Sequence, residues 1–366
     1  SGPGGLSAAI AAARAGVSVI LIERFGCFGG NITSVGVEGF AWYRHEKTIE
    51  AGGLAFEYEQ RAIESNAAVP ESQSKSYELD SEGFKVVADN LVLKAGVRPM
   101  LHRAFCAPIL DGDEIKGVIT ESKAGREAII GKIIIDATGD ADVARRSGVK
   151  VFKNKKEDMI SASVMFHMSG VNKEEFMNEI ERDPQKYSDW SDKNWQVQTS
   201  GKEDDMFSPF LRKPFEKAKD SGLIDSDLQT ISGTWGAIHD SGELTYLNLV
   251  HLNGIDGTDP ESLTKGEIEG RKAALEAIAA LKEYMPGCSA GKLRNFGMTI
   301  GIRDTYKIDS VYNLSDEDVK NECRFEDSVG IYPEFIDGFG VLVLPTTGRY
   351  MHCLLYTSPS PRDGRI

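Results

Sequence analysis

Three groups of residues in this chain have the types and spacing to do chemistry. The first is Gly2 and Gly5 at the start of a run of small residues, with Glu23 about 20 residues further on. Glycines placed so let the backbone close on a phosphate, since no Cβ stands in the way, and the helix they open favours negative charge at its N-terminus. A carboxylate at that distance accepts hydrogen bonds from ribose hydroxyls. The second group is Gly29, Gly30 and Thr33, a further glycine pair and a hydroxyl just past Glu23-Arg24, which a unit binding only a nicotinamide dinucleotide does not need. The third is Ala137-Thr138-Gly139-Asp140 after the apolar run Ile133-Ile134-Ile135, a glycine and a carboxylate at the C-terminal edge of a sheet, where open α/β sheets bind ligands.

These residues need elements to hold them. Ser1 to Ile10 reads as a glycine turn opening a helix, which Ala8 to Ala15 continues with small, strong helix formers until Gly16 stops it, and Val17 to Ile22 as a buried strand of a parallel sheet. In a complete G-x-G-x-x-G fingerprint, Gly2 and Gly5 are the second and third glycines, so the first glycine and its strand are expected upstream of Ser1. Gly52 to Ile63 and Glu82 to Lys94 keep helical spacing, the latter with an N-cap at Asp80 or Ser81. Ser65 to Ser76 reads as a loop and Val97 to Phe105 as a strand. Ala107 to Leu110, Ile115 to Glu121 and Ala128 to Ile133, divided by turn residues, predict a small antiparallel meander. Lys132 to Asp136 reads as a strand returning to the main sheet. Asp140 then has two readings, a ligand contact or the cap of a helix over 142–147.

Further along, Ser161 to Ser169 and Thr245 to Asn253 have strand character, Asn172 opens a helix, and Thr264 to Tyr284 is a long Ala-rich amphipathic helix stopped by Pro286-Gly287. The cluster Phe40, Trp42 and Tyr43 and the polar stretch Lys202 to Asp205 complete the pattern.

With Glu23-Arg24 followed by Gly29-Gly30-Asn31-Ile32-Thr33, and Ala137-Thr138-Gly139 in that order, the chain resembles the FAD-dependent oxidoreductases of the glutathione-reductase-type fold, near the fumarate reductase and succinate dehydrogenase flavoproteins. The resemblance implies an α/β chain with a Rossmann-like FAD-binding domain, a small antiparallel meander and an inserted α+β substrate domain. It implies FAD held by Gly2, Gly5, Glu23, Arg24, Gly29, Gly30, Thr33, the backbone around Cys106, and Ala137, Thr138, Gly139 and Asp140. The aromatic residues 40–43 fall below the flavin in that family, and Gly301 to Thr305 resembles a strand returning toward it. The expected layout is residues 1–155 for FAD, 156–295 for substrate, 296–352 returning to the FAD domain, and 353–366 as a tail. That tail resembles a translated sequencing adapter, as in an internal fragment from environmental sequencing.

The expected function is hydride transfer to or from a small organic substrate through FAD. A flavin monooxygenase and an electron-carrying or scaffolding flavoprotein subunit are the alternatives. Because the flavin carries the hydride, the protein needs only to bind, orient and move protons. Arg303 suits a substrate carboxylate or charge near the flavin, through its planar fork, or else pairs with Asp304. His251 and His239 are acid–base candidates or satisfied strand histidines. Cys27, beside glycines, is redox-active, a flavin attachment point or a filler of its turn.

A formal charge of −14 without a basic tract argues against a nucleic-acid partner. No apolar run approaches the ~18 residues that cross a bilayer. Five cysteines without a C-x-x-C pair give no zinc spacing and suit a reducing, cytoplasmic location. No metal is expected. A redox partner protein or a second copy of the chain is compatible with the reading.

Overall fold

The structure, a computed structural model, describes residues 1–39, 52–70, 77–185 and 208–313, with short strands and single positions between 196 and 354. Expectations for residues 40–44, 202–205, 349–350 and 355–366 lie outside the described residues. The fold is mixed α/β. Its helices are α1 (Pro3–Arg14), α2 (Gly53–Glu64), α3 (Ser81–Lys94), α4 (Asp142–Arg146), α5 (Lys173–Arg182), α6 (Lys213–Asp220) and α7 (Pro260–Tyr284).

One core is built by α1, α2 and α3. Leu6 and Ile10 of α1, Tyr58 and Ala62 of α2, and Phe84, Ala88 and Val92 of α3 are buried together at helical spacing. Tyr58 meets Phe84 edge to face at 5.7 Å, and its hydroxyl is satisfied by Ser7 at 2.7 Å. Asp80 caps α3 as its position predicts, accepting from the Gly83 amide at 2.6 Å.

Beside these helices the strand Ile20–Ile22 pairs in parallel with Arg98–Met100. Both strands are shorter than the expected spans 17–22 and 97–105. Val17 is exposed, and the expected strand 97–105 breaks at His102, whose φ of 57° is left-handed and whose amide turns to the Phe25 carbonyl. The chain resumes as the meander Ala104–Asp111, Glu114–Ser122 and Gly125–Ile130, antiparallel in that order as predicted. The expected loop 65–76 contains a strand instead, because Ala68–Pro70 finds an antiparallel partner in Tyr77–Leu79.

Lys132 to Asp136 does not form the expected strand. A strand is defined by its ladder, and among the described residues none runs alongside it, so Ile133 stays 71% exposed despite its β-branched type. The stretch 301–305 is also irregular. Among the described residues its backbone pairs with a strand at Gly301, bridged to Ser163.

The second core surrounds a six-stranded sheet in which Phe210–Leu211, Ile231–Thr234, Leu244–Leu252, Phe166–Ser169 and Lys292–Phe296 lie side by side, with Ala162–Ser163 also on Leu244–Leu252. α7 packs on it. Its first turn begins four residues before Thr264, because Pro260 suits the first helical position and Asp259 accepts from the Glu261 amide. At Gly270 the helix comes so close that a Cβ would stand 2.2 Å from Val164. Trp235 and Phe176 close the far side, edge to face at 5.1 Å.

The two cores meet along a seam that at one point is backbone on backbone. At Gly297 a Cβ would lie 2.1 Å from the Val35 carbonyl oxygen, and the Thr299 amide donates to the Ser34 carbonyl. Among the described residues no helix is long and apolar enough to cross a membrane.

Candidate functional site

The glycine segments expected to act together do come together. Gly2 is the N-cap of α1, in an extended conformation. The loop before the π-helical turn Asn31–Val35 folds back over it, with the Gly29 amide donating to the Ser1 carbonyl at 3.2 Å. A Cβ on Gly30 would sit 2.5 Å from the Gly2 Cα, and one on Gly5 would sit 2.8 Å from the Ala137 Cβ. Gly30 also has a φ of 51°, which excludes side chains from this turn twice over. Three stretches distant in sequence thus converge on the N-terminus of one helix.

Glu23 is buried at the end of its strand. One carboxylate oxygen accepts from the Phe25 amide at 2.8 Å and the other faces the Ser1 backbone nitrogen. The Thr33 hydroxyl is committed elsewhere: it donates to the Phe28 carbonyl at 2.6 Å and so fixes the glycine loop. Cys27 is buried with its sulfur 3.7 Å from that hydroxyl and 3.9 Å from Ser34 Oγ. Arg24 stays exposed, stacked on Phe25 at 4.7 Å. The Cys106 carbonyl accepts from Arg146, which also reaches over the Phe105 ring.

Around Gly139 the polar groups are arranged differently from the capping reading. Asp140 does not cap α4; its N-cap is Ala141, in a left-handed conformation. Thr138 Oγ1 accepts from the Asp142 amide at 3.0 Å, and Asp136 from the Ala144 amide at 2.9 Å, which satisfies the helix start. Asp140 is left to accept from the Thr305 hydroxyl at 2.8 Å. Burial pushes its carboxyl up, with Thr305 and then Arg24 pulling it back. This bond ties the 301–305 stretch, and with it Arg303, to the glycine site. Asp304 is held by Asn154 and Lys307.

His251 lies on the strand opposite Ser163, whose other neighbour is Gly301, so the sheet brings it toward Arg303. Burial first, and then the Arg303 charge, push its imidazole down to about 4, while the backbone at Ser232 and Asn248 hydrogen-bonds it. It is neutral near pH 7. His239 is also lowered by burial, with Nε2 3.5 Å from Thr245 Oγ1.

The sequence reading missed Glu38 and His167. Both are about 2% exposed, His167 Nε2 lies 3.6 Å from Glu38 Oε1, and Glu38 Oε1 accepts from the Ser81 amide at 2.9 Å. Burial raises the Glu38 carboxyl to about 8 and lowers His167 to about 4, so both are uncharged at neutral pH. The signal was there in the sequence: a lone acid in Val35-Gly36-Val37-Glu38 and a lone imidazole in Met165-Phe166-His167-Met168.

A family model described as FAD dependent oxidoreductase matches residues 1–338. A search of curated proteins finds no match. Among solved structures, a geranylgeranyl bacteriochlorophyll reductase-like protein from Thermoplasma acidophilum is 14% identical with a TM-score of 0.46, over 96% of this chain and 72% of its own. An aromatic hydroxylase of angucycline biosynthesis is 11% identical at 0.44, over 96% and 55%. A flavin-dependent brominase is 12% identical at 0.45, over 96% and 70%.

Proposed function

Because this chain belongs to the FAD-dependent oxidoreductase family, an enzyme family with FAD as its cofactor, we propose that it moves hydride between a small organic substrate and that flavin. The observation that carries the reading is the convergence of Gly2, Gly30 and the Gly5–Ala137 contact at the N-terminus of α1. That cradle fits a pyrophosphate: a side chain at Gly5 or Gly30 would collide with its own wall, and the helix start offers amides to an anion. When bound, FAD supplies the two-electron chemistry.

In this reading Gly2, Gly5, Gly29 and Gly30 line the pyrophosphate and Glu23 holds the ribose hydroxyls. Arg24 supplies positive charge at the rim. Thr33 fixes the glycine loop, Cys106 lends backbone to the adenine end, and Ala137 to Asp140 close the opposite side. Arg303 orients an anionic group of the substrate from the stretch that Thr305 anchors. His251, neutral at pH 7, is a hydrogen-bonding group beside Arg303. The finer architecture follows: a glutathione-reductase-type Rossmann domain over 1–155 and 296–352, with the meander inside it and a substrate domain over 156–295, in a cytoplasmic protein.

The test is anaerobic reduction. The protein should release FAD rather than FMN on denaturation, and small organic donors should bleach its flavin absorbance without oxygen. Bleaching only by a reduced nicotinamide, coupled to oxygen consumption, would replace this reading with a monooxygenase. Reduction only by a protein partner would replace it with an electron-carrying subunit.

A further inference from the structure

We propose that His239, Thr245, Glu38 and His167 form an internal proton line, carrying the proton that accompanies hydride transfer between solvent and the turn Asn31–Val35. It rests on the hydride-transfer reading above. The line starts at half-buried His239, next to exposed Asp240. Its Nε2 stands 3.5 Å from Thr245 Oγ1. Thr245 is buried, and its hydroxyl lies close enough to the Glu38 carboxyl to favour the charged form. Oε1 of that carboxyl, which takes the Ser81 amide, lies 3.6 Å from His167 Nε2. His167 ends the line against Gly36, which closes the turn: a Cβ there would be 3.7 Å from Nε2. The four groups come from the loop before Leu244–Leu252, that strand, the segment after the glycine loop and Phe166–Ser169, so they sit across the seam between the two cores.

Three observations set this cluster apart from ordinary buried polarity. Every member can both take and give a proton. The gaps of 3.5 and 3.6 Å close to hydrogen bonds with small side-chain movements. Among the described residues the buried His167 Nδ1 has no hydrogen-bond partner, so a structural role leaves this ring half used. The surrounding ionisable groups include Asp80 and Glu82 from the start of α3, Arg294 from Lys292–Phe296, Glu243 and Lys173 near His239, and the buried Glu78, whose carboxylate packs on Gly236 beside Thr245. Burial keeps Glu38 protonated and His167 neutral at pH 7, the state in which one can give what the other takes. In substrate oxidation, a C–H bond breaks as hydride goes to the flavin, which gains two electrons. The X–H proton of the same substrate passes to His167, as Glu38 gives its own to Thr245 and His239 and is refilled from His167. Reduction runs the same steps in reverse, and atoms and electrons balance in both directions.

Glu38→Gln keeps the size and the acceptor for Ser81 but cannot titrate. Infrared spectra of the unmodified protein at pH 7 should contain a buried protonated-carboxyl band that fades as pH rises through about 8 and is missing in Glu38→Gln. The reduction potential of the bound flavin against pH should bend in the same range, and the bend should vanish in Glu38→Gln. His239→Gln, at the solvent end, should slow proton uptake on flavin photoreduction about tenfold or more without changing the band. If Glu38→Gln does not fold, the band of the unmodified protein and the His239→Gln uptake rate still decide. An ionised Glu38 at pH 7, or an unchanged bend and uptake rate, would overturn the line. A protein that shows the band but takes up no FAD would instead refute the cofactor site.

Discussion

Gly2→Ala separates the cofactor cradle from the stability of the fold. Nothing lies within 4 Å of a Cβ built on Gly2, and its φ of −72° is ordinary for any residue. The fold should therefore lose at most about 1 kcal/mol, the cost of a poorer helix cap. The added methyl stands at the mouth of α1, in the space through which a pyrophosphate reaches the first amides. Losing one charged hydrogen bond there costs about 1.5 to 3 kcal/mol, or roughly a 10- to 150-fold weaker FAD affinity. Gly30→Ala is the contrasting case: a φ of 51° and a Cα neighbour at 2.5 Å should destabilise the protein itself by about 1 to 3 kcal/mol as well as weaken binding. Gly4→Ala, exposed in the first turn of the same helix with nothing near its Cβ, should leave FAD affinity unchanged and stabilise the fold by up to about 1 kcal/mol. Urea unfolding and flavin fluorescence quenching measure the two quantities on each variant. A folded Gly2→Ala protein that binds FAD with unchanged affinity would show that the pyrophosphate is not at this turn.

Glu23→Ala should weaken FAD by about 1 to 3 kcal/mol through loss of a charged acceptor for the ribose, and equal affinity by titration would remove Glu23 from the site. Thr305→Val leaves the mostly buried Asp140 without its hydroxyl donor, so its carboxyl should rise further and the urea midpoint fall by the equivalent of about 1 to 3 kcal/mol; an unchanged midpoint would mean the bond is not made in solution. Stability should peak near pH 6.5. Above it the folded chain keeps a proton on Glu38, raised to about 8, that the unfolded chain has lost, so about 2 kcal/mol should disappear between pH 6.5 and 8. Below it the unfolded chain protonates His167 and His251, both lowered to about 4, and stability falls again, partly offset by Glu38. Urea midpoints across pH 5 to 8 check this, and a flat upper limb in the unmodified protein would contradict the burial of Glu38.

Local rules made the glycine cradle legible. The helix after Gly2, the cap at Asp80 and the meander each follow from residues adjacent in sequence, and all three are present. What could not be read depends on partners far along the chain. Ile133 to Ile135 have strand composition but no ladder, and Asp140 sits where caps sit, yet Thr305, 165 residues later, claims its carboxylate. Glu38 and His167 escaped notice because each is one polar residue in an apolar stretch, unremarkable until the fold sets them 3.6 Å apart.

The seam at Val35 and Gly297 bears on how the molecule comes apart. With backbone pressed on backbone there and the Thr299 amide bonded to the Ser34 carbonyl, neither core can swing or loosen at this point without breaking a main-chain bond. Any motion that admits substrate has to run through other parts of the chain. Heating should then melt both cores in a single transition, and bulk introduced at Gly297 should split that transition into two.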